Sequence, residues 1–131
     1  MTAGALVVRT DFADPAAWQR LCEVLATPTE EGFLPAVVPV DDPAFSGLHL
    51  AGLTAHLPSG YHHPLLVLAD RRALTDPELP LLVAHLRDPA TPTVRVVATR
   101  LWSVENNLSI SNLDFADYLR STDPDGVHRG F

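Results

Sequence analysis

Apolar residues fall into short, β-branched runs separated by helical spacings and by Asp-Pro or Pro-rich breaks, the pattern of strands alternating with helices. Ala5-Leu6-Val7-Val8-Arg9-Thr10 predicts a first, largely buried strand that ends at Asp11. A helix opens at Asp14-Pro15, where Asp14 can accept from the free amides of the first turn and Pro15 has no N–H to leave unpaired. Trp18, Leu21, Cys22 and Leu25 make its apolar stripe, which reads Cys22 as a packed thiol rather than a nucleophile. After Thr27-Pro28-Thr29 and Gly32, the run from Phe33 to Val40 predicts a second strand. Pro35 and Pro39 cannot donate to a ladder, so this strand belongs at an edge or is only partly paired. It ends at Asp41-Asp42; Asp42-Pro43 caps a short turn carrying Phe45, and Leu50, Leu53 and Leu57 predict a short helix before Pro58.

Leu65-Leu66-Val67-Leu68-Ala69, ending at Asp70, is the clearest strand. Leu81 to Leu86 is too short for periodicity to separate helix from strand and is read as a strand. Thr93 to Thr99 is a strand by β-branching. Leu101 to Phe115 mixes bulky apolar residues with a carboxylate, amides and hydroxyls, and is read as an irregular polar connection. Asn112 is placed to cap a last helix, with Asp114 in its first turn and Phe115, Tyr118 and Leu119 on one face. Asp123-Pro124-Asp125-Gly126 is a turn, after which Val127 to Phe131 either adds a short strand or docks Phe131. The expected architecture is α/β: a single layered domain over residues 1–131, a mixed sheet of about four to five strands with some parallel pairing, and about three to four short flanking helices.

Composition narrows the chemistry. With 131 residues the chain can bury roughly two-thirds of its unfolded surface in one core. It has no Lys, which excludes Schiff-base lysines, phosphate-loop lysines and the lysine of a phospho-aspartate receiver site. A net charge of -7 disfavours a nucleic-acid backbone and favours cations or basic proteins. A lone Cys22 excludes an intrachain disulfide and a cysteine-based zinc site, and fits a reducing compartment. No apolar run reaches the roughly 18 residues of a membrane span, so the expected location is cytoplasmic.

Two polar constellations are candidate sites. Asp11, Asp41 with Asp42, and Asp70 each follow a strand; if those strands are parallel neighbours, the carboxylates share the rim where open α/β sheets bind ligands. Crowded there they would repel, unless a cation or basic partner intervenes, which makes Asp11, Asp41 and Asp70 candidate ligands of a divalent cation. The plainer alternative is that Asp after a strand is turn and cap chemistry. In the second constellation Glu105, Asn106 and Asn107 line a polar pocket beside Trp102, or else satisfy the backbone of the connection while Trp102, Leu108 and Ile110 plug the core. The histidines, including the adjacent His62 and His63, lack zinc-site spacing, and Ser103 and Ser109 lack a nucleophile elbow.

The segments Val8-Arg9-Thr10-Asp11-Phe12, Val40-Asp41-Asp42-Pro43-Ala44-Phe45, His63-Pro64 and Leu101-Trp102-Ser103-Val104-Glu105-Asn106-Asn107-Leu108-Ser109-Ile110 together resemble a family of small actinobacterial domains of unknown function, a likeness that runs to Phe131. That resemblance implies no activity, so expectation rests on the residues. They favour a non-enzymatic acidic binding module, inhibitor- or immunity-type, recognising a basic protein surface; the alternative is a small metal-dependent enzyme using the strand-end carboxylates. Neither reading calls for a cofactor beyond a divalent cation, a nucleic-acid partner or a membrane, and both leave a homodimer open.

Overall fold

The structure, a computed structural model, describes residues 4–61, 63–87, 92–109 and 115–130. Six strands form one mixed sheet: β1 (Ala5–Arg9), β2 (Val37–Val40), β3 (Leu65–Ala69), β4 (Pro80–His85), β5 (Val94–Val97) and β6 (Val127–His128), in the order β2-β1-β3-β4-β5-β6. β1 pairs in parallel with both β2 and β3, β4 is antiparallel to β3 and β5, and β6 is parallel to β5. The α/β class and mixed pairing match expectation; the sixth strand is the two-residue β6, which the terminal segment adds beside β5.

Five α-helices occur among the described residues: α1 (Pro15–Ala26), α2 (Leu50–Thr54), α3 (Arg71–Thr75), α4 (Leu101–Ser109) and α5 (Phe115–Arg120). α1 starts as its sequence dictates, with Asp14 accepting from the N–H groups of Ala16 and Ala17. α3 is one turn long, capped by the Asp70 side chain on Ala73 N–H; without a periodic stripe it leaves no sequence signal. The connection expected from Leu101 onward is helical instead. Leu101, Val104 and Leu108 recur at i, i+3 and i+7, and Leu101 and Val104 are fully buried against the sheet, so packing overrides the weak helix preference of Ser and Asn. The expected cap Asn112, together with Ile110, Phe131 and His62, lies outside the described residues.

Alternation along the strands divides the core in two. On one face Ala5, Val7, Leu65, Val67, Leu81, Val83, Val94 and Val96 pack beneath α1, α3, α4 and α5, with Trp18, Leu21, Leu101 and Tyr118 filling the layer. On the other, Val8, Leu66 and Leu68 pack under the β2-to-β3 crossover, whose Phe45, Leu48, Leu50 and Leu53 cover β1 and β3. α1, which leads from β1 to β2, and α3, which leads from β3 to β4, thus share the first face, and the β2-to-β3 crossover covers the second.

Candidate functional site

Parallel pairing of β2, β1 and β3 places Asp41, Asp11 and Asp70 past the same ends of three adjacent strands, as the sequence argument required. The local chemistry is ion pairing rather than an acid cluster. Arg9, on β1 and 6% exposed, donates from Nη1 to Asp41 Oδ1 at 3.2 Å and from Nε to the Asp11 carbonyl at 3.1 Å, with its guanidinium over the Phe12 ring. Arg95, on β5, reaches across β4 and donates two 2.7 Å bonds to the Asp70 carboxylate. Burial pushes the Asp70 carboxyl up, but its bonds from Arg95 and Ala73 N–H outweigh that and hold it below its ordinary value. Asp42 accepts from Ala44 N–H. The repulsion expected of a bare acidic rim is thus answered by Arg9 and Arg95, and among the described residues no three His, Cys, Asp or Glu side chains are grouped to hold a metal ion. Both arginines sit in apolar strands, where they read as solvent-facing; only the register reveals them as counterions.

Helix α4 disperses the second constellation. Trp102 lies half-buried with its ring stacked on Phe33, centroids 4.2 Å apart and planes 8° from parallel, so it is a cleft wall rather than a core plug. Glu105 points elsewhere, buried, accepting from Ala36 N–H at 2.9 Å while its other oxygen lies 3.6 Å from His63 Nε2. Asn107 faces α5, donating to Tyr118 Oη at 2.9 Å and to Ser103 Oγ at 3.2 Å. Asn106 is exposed. Glu105 and Asn107 are therefore fasteners of α4, to the start of β2 and to α5, and do not form one pocket with Trp102.

Residues that were expected to lie within a strand carry the most distinctive surface. β2 begins only at Val37, and Phe33 and Leu34 belong to the loop before it, 46% and 50% exposed; with Val38 at 38% they are the exposed large hydrophobics among the described residues. The loop is built rigidly. Thr29 N–H donates to the Phe33 carbonyl, Phe33 N–H donates to Thr29 Oγ1, and Gly32 N–H donates to the Thr29 carbonyl, with Gly32 at φ +89° where a side chain is disfavoured. Beneath Phe33 a cleft of about 480 Å³ opens between α1 and α4, walled by Val24, Thr27, Pro28 and Trp102, with Arg20 and Glu23 at its margin. The shielded Trp102 Nε1 has no hydrogen-bond partner among the described residues. Glu30 and Glu31 stand exposed at the loop tip, and β2 is a sheet edge. The flanking Gly32 and Pro35 were the sequence signal that Phe33-Leu34 is a presented loop.

From Arg20 to Arg71 no Arg or Lys intervenes, while six carboxylates do: Glu23, Glu30, Glu31, Asp41 and Asp42, and, at the end of β3, Asp70.

The chain belongs to the family described as Domain of unknown function (DUF6924), whose model matches residues 4–131. Among curated proteins no match is found. No helix among the described residues is long and apolar enough to cross a membrane.

Proposed function

We propose that this domain is a non-enzymatic acidic binding module, of inhibitor or immunity type, that recognises a basic protein surface in the cytoplasm through the edge at β2. The observation that carries the reading is the confinement of Phe33, Leu34 and Val38, the exposed large hydrophobics among the described residues, to a six-residue span bordered by Glu30, Glu31, Asp41 and Asp42. Clustered apolar side chains at a sheet edge mark a contact surface, since scattered exposure needs no explanation but contiguity does. Phe33, backed by Trp102, offers the rigid aromatic anchor typical of binding hot spots, and the surrounding carboxylates accelerate encounter with a basic partner and reject acidic ones. Pro39, having no N–H to offer, blunts indiscriminate strand addition at the same edge.

Photo-cross-linking from position 34 in cells tests this, with position 54 on α2 as the control. The expected result is a discrete adduct with a basic protein that forms from position 34 alone, weakens with ionic strength and disappears in Phe33→Ser. An adduct only with a second copy of this chain would make the edge a homodimer surface, and an adduct indifferent to both salt and Phe33→Ser would overturn the reading.

A further inference from the structure

We infer that the cleft at the C-terminal ends of β1 and β3 binds a small zwitterion with an apolar body, of the size of a free α-amino acid. The site is separate from the β2 edge. A cavity of about 470 Å³ opens here, walled by Thr10 and Asp11 after β1, by Gly47 to Leu50 from the crossover, and by Asp70 to Arg72 after β3. The crevice lies on the face opposite α1 and α3, between the β2-to-β3 crossover and the ends of β1 and β3.

Elimination identifies the working groups. Asp14, Asp42, Asp70 and Asp76 each accept a backbone N–H, Asp41 holds Arg9, and Asp70 also holds Arg95. Asp11 is the strand-end carboxylate without such a duty: among the described residues its side chain has no hydrogen-bond or ion-pair partner, although it is partly buried. Its oxygens reach solvent, so an incoming ammonium displaces only water from a carboxylate that no protein donor already holds. Of the two arginines on this wall, Arg72 donates to the Asp125 carbonyl, whereas Arg71, exposed at the start of α3, has no partner among the described residues. His49, whose side chain makes no capping bond, lines the same wall.

The cavity thus presents an unspent anion and an unspent cation over a floor that includes Leu68 and Leu82. The complementary molecule carries an ammonium for Asp11, a carboxylate for the guanidinium of Arg71, and an apolar side chain for the floor. A simple anion satisfies only one of the two charges, and a metal ion is opposed by Arg71.

The test uses L-leucine and L-phenylalanine as probes, with their amides, which lack the carboxylate, and their N-acetyl derivatives, which lack the ammonium. Binding is read from amide chemical-shift changes in the full chain. The expected result is saturable shifts at Gly47, Leu48 and Arg71 with a free amino acid, at least tenfold weaker binding of both blocked forms, and loss of the shifts in Asp11→Asn and in Arg71→Gln. Glu30→Gln leaves them unchanged, which separates this site from the β2 edge. Asp11 and Arg71 cap nothing, so both variants keep the parent fold, checked by the unchanged remainder of the spectrum. No saturable shift with either amino acid, equal binding of the blocked forms, or persistence of the shifts in Asp11→Asn would each overturn the inference.

Discussion

Arg95 grips Asp70 through two parallel hydrogen bonds, Nη1 to Oδ1 and Nη2 to Oδ2, each 2.7 Å long, and the same Nη1 donates to the Pro80 carbonyl at 3.0 Å. Three elements are joined by that contact: the end of β3, the start of β4 and the middle of β5. Loop closure between residues 25 apart in sequence is thus fixed by a planar fork whose two bonds cannot both survive a change of partner.

Asp70→Asn should lower stability by about 2 kcal/mol, the scale of hydrogen bonds to a charged group. On the sequence alone, removing a carboxylate from a crowded rim relieves repulsion and raises the melting temperature; the Arg95 fork reverses that sign. The pH dependence follows. The folded-state pKa of Asp70 lies below its ordinary value of 3.8, so the unfolded chain binds the proton more readily. The stabilisation is complete above about pH 3.8 and is lost as pH falls through the depressed folded value. Melting from pH 6 down to pH 2 should show a steeper acid decline in the parent than in Asp70→Asn, and parallel declines would mean that the fork is not maintained in solution.

Strands were legible because burial on both faces of a central strand demands an unbroken apolar run, as in Leu65 to Ala69, and helix α1 because Asp14-Pro15 and its stripe are local signals. The parallel rim was legible only conditionally: Asp11, Asp41 and Asp70 mark strand ends, but strand order is a long-range property. Their counterions were not legible, since Arg9 and Arg95 become partners only when β1 lies beside β2 and β5 lies two strands from β3. Helix α4 was not legible because its polar residues alternate while its apolar spacing of i, i+3, i+7 is sparse, and tertiary burial of Leu101 and Val104 decides the outcome. The dispersal of Trp102, Glu105 and Asn107 follows from the helix, because successive helical positions are turned about 100° apart.

Glu105→Gln should cost about 1–2 kcal/mol, whereas Asn106→Ala should stay within about 0.5 kcal/mol of the parent. His63 Nδ1 accepts Leu65 N–H at 3.1 Å, so neutral His63 carries its proton on Nε2, facing Glu105. The Glu105 carboxylate accepts from Ala36 on one oxygen and faces that proton with the other; an amide turns one of those oxygens into a donor. Chemical denaturation of the two variants side by side ranks them. A Glu105→Gln midpoint equal to that of Asn106→Ala would place Glu105 in solvent.

Gly4→Ala tests the same corner from the other side. A methyl group at Gly4 would lie 2.1 Å from the Ala36 oxygen and 2.6 Å from Val37 N, both backbone atoms that cannot rotate away. β1 and β2 would have to part at the point where Ala5 N–H donates to the Ala36 carbonyl, and the expected cost is about 3 kcal/mol, the upper part of the range for overpacking. Gly32→Ala is the control for conformational strain: nothing lies within 4 Å of the added atom, and the positive φ alone should cost about 1 kcal/mol. Equal losses in the two variants would show that the strand start has room to shift.

The stacked pair Phe33 and Trp102 separates stability from recognition. Trp102 is half-buried, so Trp102→Ala should cost about 2 kcal/mol, less than the ~3–5 kcal/mol of a fully buried large aromatic. Phe33→Ala, removing a ring already 46% exposed, should cost about 1 kcal/mol. Because the rings lie 4.2 Å apart and nearly parallel, the double variant should lose about 1 kcal/mol less than the sum of the two single losses, the coupling expected of an aromatic pair. If the β2 edge binds the proposed basic partner, the ranking inverts: Phe33 would meet the partner and Trp102 only support it, so Phe33→Ala should weaken capture at least tenfold, and Phe33→Leu should recover part of that loss. Additive stability losses would mean that the stack does not persist in solution, and an undiminished affinity in Phe33→Ala would remove the loop from the interface.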